Sequence, residues 1–135
     1  MRRTLLVALA GIIVEVATGC PQKSAVWIED GSTSQHLVFR LGRSVGGGPP
    51  DDFYGMTVSR CGADGTAQNA VWAVARSQDV PVPIRVVYGE APAGYRTVKG
   101  PDPLQPGCYE AADSGSGRMR FLVNVDGSVQ VQKDE

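Results

Sequence analysis

The chain has 135 residues, 42% of them apolar and 20% charged, with 17 Gly, 9 Pro, 3 Cys and 1 His. Thirteen basic against 14 acidic side chains give a formal net charge of -1, which excludes a protein that holds nucleic acid through a broad basic field. The length suits one small domain, and so many glycines and prolines force frequent chain reversals, so long helices are disfavoured and an all-β domain is expected.

At the N-terminus, Arg2 and Arg3 precede an apolar run over residues 5–17 that ends in Ala17-Thr18-Gly19-Cys20. This is the layout of a secretory signal. Residues 4–18 as a helix would reach only about 22 Å, short of a hydrocarbon core of roughly 30 Å. Glu15 argues further against a permanent span. The small residues leading into Gly19-Cys20 resemble the bacterial lipobox, with Ala17 at the position where Leu is usual. In that family a diacylglycerol is added to the cysteine sulfur and the chain is cleaved just before it. The resemblance implies a lipoprotein signal peptide over residues 1–19 and Cys20 as the lipidated first residue of the mature protein. It implies a lipidated tether over residues 20–24 and a location in the bacterial cell envelope, facing the periplasm or exterior, with the membrane as a partner through the lipid. The alternatives are an ordinary cleaved signal with Cys20 as an incidental thiol, and a twin-arginine export signal led by Arg2-Arg3.

Residues 25–135 read as a single domain. Segments 25–28 and 36–41 are strand candidates separated by Glu29-Asp30-Gly31-Ser32, whose Asp-Gly step suits a tight reversal. Residues 43–52 carry Gly46-Gly47-Gly48-Pro49-Pro50 and are expected as a surface loop. In segment 53–61, Tyr54, Met56 and Val58 alternate with Gly55, Thr57 and Ser59, the period of two of a half-buried strand. Segment 70–76 is apolar throughout; a helical turn is the alternative, but Val and Trp favour a strand. Segments 84–88 and 95–98 are further strand candidates, the second at an edge. Finally, 118–125 and 128–132 flank Asp126-Gly127, a two-residue hairpin signal.

Before that hairpin, Leu104-Gln105-Pro106-Gly107-Cys108-Tyr109 resembles the tyrosine corner of immunoglobulin-like and fibronectin type III sandwiches, one residue shorter than usual. The resemblance implies a small antiparallel, immunoglobulin-like β-sandwich in which the Tyr109 hydroxyl bonds back to the backbone of the corner. With Tyr88-Gly89 and Pro92-x-Gly94 upstream, the stretch 84–131 also resembles an uncharacterised family of small bacterial lipoproteins with no assigned activity.

If lipidation takes Cys20, the odd cysteine count resolves into a pair, Cys61 and Cys108. A bridge between them would close a loop of about 48 residues and stabilise the domain by about 4 kcal/mol on the chain-entropy argument. Two separate buried thiols are the alternative. Neither cysteine has the spacing that zinc requires, so no metal and no cofactor is expected.

Candidate chemistry is sparse. His36 is the only imidazole, so any catalytic His or His-ligated metal must use it. Glu29, Asp30, Asp51 and Asp52 have no recognisable ligand spacing and read as solvated turn carboxylates. Gly46 to Gly48 lacks the Gly-Lys-Ser/Thr ending of a phosphate loop. Trp27 and Trp72 are expected to fill the core, one of them against the bridge, rather than to form an aromatic binding platform. The expected function is therefore a non-enzymatic interaction or structural module that meets an envelope protein or cell-wall component and no nucleic acid. A small hydrolase or metal-dependent enzyme using His36 with turn carboxylates is the alternative.

Overall fold

The computed structural model describes residues 24–43, 53–63, 66–114 and 117–132. The expected signal segment 1–19, Cys20 and residues 21–23 of the expected tether 20–24, the Gly46 to Gly48 loop, Asp51 and Asp52 lie outside them, while Ser24, the last residue of that tether, already belongs to the first strand.

The described residues are all β apart from one 3-10 turn, Ala67–Asn69. The strands are β1 (Ser24–Ile28), β2 (Val38–Arg43), β3 (Gly55–Arg60), β4 (Ala70–Arg76), β5 (Arg85–Val87), β6 (Tyr95–Lys99), β7 (Gly107–Asp113), β8 (Arg118–Val123) and β9 (Val129–Gln132). They form two antiparallel sheets, a three-stranded one in the order β1-β2-β5 and a six-stranded one in the order β6-β4-β3-β7-β8-β9. The chain crosses from the small sheet to the large one after β2, returns for β5 and crosses again for β6. Two sheets facing one another bury alternate residues of each strand, so this is a small β-sandwich.

Alternation decides what enters the core. Phe39, Leu41, Met56, Val58, Trp72, Val74, Val86, Tyr109, Ala111, Phe121 and Val123 are all buried. An aromatic chain joins the two layers: Phe39 of β2 meets the Phe121 ring edge-on at 6.1 Å, and Phe121 stacks on Tyr109 at 5.6 Å. Trp72 packs on Tyr88 at 5.1 Å and Phe53 on Tyr95 at 5.4 Å. The Tyr95 hydroxyl donates to the Phe53 carbonyl at 2.8 Å, which ties the chain just before β3 to the outer edge strand β6.

Tyr109 makes the corner. Its hydroxyl donates to the Gln105 carbonyl at 2.9 Å and accepts from the Gln105 amide at 2.9 Å, so both backbone groups of one turn residue close on a single phenol. Gly107, in the same turn, has φ +146, a conformation L side chains rarely adopt.

Cys61 and Cys108 are joined by a disulfide with a Cα–Cα distance of 5.4 Å. The bridge links neighbouring strands of one sheet rather than the two layers. β3 and β7 pair directly, and the Cys61 amide donates to the Cys108 carbonyl at 3.1 Å. Because Tyr109 faces the core, Cys108 one position earlier faces outward, so the bridge lies on the outer side of the large sheet. Neither tryptophan packs there as expected: Trp72 is buried on the core side of that sheet and Trp27 is exposed on the other sheet.

Three sequence expectations are corrected. Trp27 is 46% exposed, because Val26 and Ile28 on either side of it turn inward and the period of two sends the indole out. His36 does not begin a strand: β2 starts at Val38, and Thr33 and His36 close a separate turn by backbone bonds of 3.0 and 3.1 Å. The β8–β9 connection is longer than a two-residue turn. Gly127 N–H donates to Asn124 O, and Asn124 N–H to Ser128 O. Gly127 alone takes a positive φ, +85, while Asp126 does not. A two-residue type I′ turn needs positive φ at both central positions, whereas a type I turn followed by a left-handed Gly needs only one.

At the start of β1, Asp113 gathers the chain. Its carboxylate accepts from Ser24 Oγ at 3.2 Å and from the Gly117 amide at 3.1 Å, and Ser24 Oγ also accepts from that amide at 3.1 Å. The start of β1 is thus fastened to the two ends of the β7–β8 connection.

Candidate functional site

The outer face of the small sheet carries a row of three large side chains set by strand register. Trp27 of β1 lies opposite Arg40 of β2, and Arg40 lies opposite Arg85 of β5. Two residues after Trp27, on the same face, Glu29 receives the Arg85 guanidinium at 2.9 Å across the intervening strand β2. Val38, on that face between them, is buried. Asp30 follows in the turn and is exposed. Trp27, Ile28, Glu29, Asp30 and Arg40 line an open cleft of about 420 Å³.

The turn that shapes this cleft folds from local chemistry. Ser32 N–H donates to Glu29 O at 3.3 Å, Gly31 supplies the positive φ of +83, and Ser32 Oγ donates to Glu29 O at 2.7 Å. Ser32 Oγ also accepts from the Val38 amide at 3.1 Å, which joins the turn to the first residue of β2. Further along the connection, Ser34 N–H donates to Gly127 O at 2.8 Å, so the loop is docked on the β8–β9 hairpin.

His36 lies in this connection but apart from the cleft. It is exposed, and its backbone amide, not its ring, makes the bonds to Thr33. Of the turn carboxylates, Glu29 is engaged with Arg85 and Asp30 lines the cleft. No group of three His, Cys, Asp or Glu side chains suited to a metal ion occurs among the described residues.

A second cleft, of about 320 Å³, lies on the outer face of the large sheet. Its floor is Gly55, Thr57, Ala75 and Ala112, and Tyr54, with the Arg76 guanidinium 5.8 Å from its ring centre, stands at the rim. Asp113 also lines it, but that carboxylate is committed to Ser24 and Gly117. On the same face Glu110 binds Arg118 at 2.9 Å and Arg120 at 3.2 Å, so its acid is held as part of the sheet surface.

Tyrosine acidities mark packing. Burial, and secondarily the nearby Asp102 carboxylate, push the Tyr88 phenol far above its ordinary value, and its hydroxyl donates to the Asp102 carbonyl at 2.6 Å. Tyr95 is raised by burial, with Arg76 opposing. Asp126 is lowered because Ser128 donates to its carboxylate from both hydroxyl and amide. None of these groups lines either cleft.

No protein family, curated protein or solved structure matches this chain. No helix among the described residues is long and apolar enough to cross a membrane.

The Trp27 row was missed at the sequence level because both tryptophans were assigned to the core by size. The signal was present: Val26, Trp27 and Ile28 alternate, and a sandwich strand with two aliphatic residues facing inward must put the residue between them outside.

Proposed function

We propose that this protein is a lipid-anchored module of the bacterial cell envelope that binds an envelope component through the outer face of its small sheet and carries out no catalysis. The exposed Trp27, in register with Arg40 and Arg85, is the observation that carries the reading. Trp and Arg are among the residue types most enriched at binding hot spots.

The lipid anchor rests on Cys20 and the run before it. A cysteine count that leaves Cys61 and Cys108 to each other supports it, as does a first strand that starts four residues after Cys20. The immunoglobulin-like or fibronectin type III-like reading is supported by the Tyr109 corner and by a chain that crosses between sheets after β2, β4 and β5. The single His36, exposed and not among the residues that line the cleft, favours a binding surface over acid–base chemistry.

The test is capture of detergent-solubilised envelope material on the full-length protein, run beside Trp27→Ala and His36→Ala. An envelope component retained by the wild type and His36→Ala but not by Trp27→Ala is the expected result. Equal retention by all three, or loss on His36→Ala alone, contradicts the proposal.

A further inference from the structure

We infer that the Trp27 cleft is a site for a neutral glycan strand, an assignment that rests on the binding-module reading above and names the ligand class of the same surface.

The first argument is charge. Glu29 and Asp30 contribute two carboxylates, and Arg40 and Arg85 two guanidiniums, to one small patch. The sum is zero. A nucleic acid or an anionic lipid surface gains nothing from such a balance, since binding to either scales with unopposed positive charge.

Hydrogen-bonding complementarity is the second argument. Carboxylates only accept and a guanidinium only donates. A ligand that satisfies both kinds at once carries both donors and acceptors, and each free sugar hydroxyl is both. Glu29 is already oriented by Arg85 at 2.9 Å, so its second oxygen is presented without the entropy loss of a free side chain.

The third argument is the indole. With Val26 and Ile28 turned inward, Trp27 cannot enter the core without a register shift that would expel both. The ring therefore stays on the outer face, an apolar surface bordered by polar groups. A pyranose ring matches it, because its axial C–H bonds form one apolar face and its hydroxyls lie around the edge. A cleft of about 420 Å³ is within the range of small-ligand sites.

The experiment uses the full-length protein in detergent, titrated with the β-1,4 tetrasaccharide of N-acetylglucosamine and, separately, with cellotetraose. Tryptophan emission reads binding in the wild type, and isothermal titration calorimetry reads it in both the wild type and Trp27→Ala, which lacks the reporting indole. The chain has two tryptophans, one exposed and one fully buried, so a ligand on Trp27 alters the red-shifted component and leaves that of Trp72 in place. Saturable binding of either glycan, weakened at least tenfold by Trp27→Ala and insensitive to salt, is the expected result. Trp72 emission in the variant reports that the fold is intact.

The inference is overturned if neither glycan binds at millimolar concentration, or if Trp27→Ala binds as well as the wild type. It is also overturned if only a sulfated dextran binds and salt abolishes that binding. Should both glycans fail while envelope capture still depends on Trp27, the glycan class is wrong and the binding-module reading stands. Should capture also lose its dependence on Trp27, both are wrong.

Discussion

Replacing Tyr109 with Phe removes one oxygen from a fully buried ring and leaves the ring itself in place. Two hydrogen bonds are lost, the donation to Gln105 O and the acceptance from Gln105 N–H, both 2.9 Å. Each is worth about 0.5–1.5 kcal/mol net. Gln105 is exposed, so water reaches the freed backbone groups and the larger penalty of an orphaned buried pair is avoided. The stack on Phe121 survives. The expected cost is about 1–3 kcal/mol, which at a urea slope of about 2 kcal/mol per molar lowers the midpoint by about 0.5–1.5 M with the slope unchanged. Equilibrium urea unfolding of the oxidised protein measures this. Tyr109→Ala, measured beside it, removes the ring as well and should cost about 3–5 kcal/mol. A Tyr109→Phe midpoint equal to the wild type would refute the argument that this hydroxyl holds the corner. A loss as large as that of the alanine variant would mean that the phenol does something beyond these two bonds.

Three further outcomes are expected. A thiol count on denatured, unreduced protein should find Cys61 and Cys108 oxidised, and replacing both with Ala should lower stability by about 4 kcal/mol on the chain-entropy argument; free thiols at these two positions would contradict the bridge. Mass spectrometry of the mature N-terminal peptide should find diacylglycerol on Cys20, and Cys20→Ser should release the protein from membranes; an unmodified peptide would end the anchor reading. Because the Tyr88 phenol is held above its unfolded value, chiefly by burial, the unfolded chain ionises first as the pH rises. Its contribution is complete below pH 10 and is lost above it. Thermal melts should therefore fall in the alkaline range, and less so for Tyr88→Phe; an unchanged alkaline slope in that variant would exclude Tyr88 as the cause.

The strands were legible where period and punctuation agreed. β4 spans Ala70–Arg76, the same residues its Val and Trp content marked out, and Met56 and Val58 of β3 face the core as their alternation required, whereas Tyr54, of the same alternation, precedes the strand and is exposed. The Cys61–Cys108 pairing followed from counting. Its place within one sheet did not, because counting says nothing about which strands are neighbours, and that depends on β7 lying between β3 and β8.

Turn geometry was the harder part. Asp126-Gly127 marked the right position but not the loop, since the same dipeptide suits a two-residue turn and a type I turn with a following left-handed Gly. Strand 118–125 was accordingly drawn too long, and Val125 is 92% exposed in the connection. The Trp27 cleft was hidden for a different reason. Side-chain size argued for the core and alternation for the surface; alternation prevailed because one register serves every residue of β1.

Binding through the Trp27 face, rather than chemistry at His36, is the mode of action proposed for this protein. Its most direct test is restoration of a deletion strain by two single variants expressed at wild-type abundance. His36→Ala should restore whatever envelope defect the deletion causes, and Trp27→Ala should leave it unrepaired. If Trp27→Ala restores the strain and His36→Ala matches the deletion, with both variants folded, the protein works through His36 and not through the Trp27 face, which contradicts the proposal.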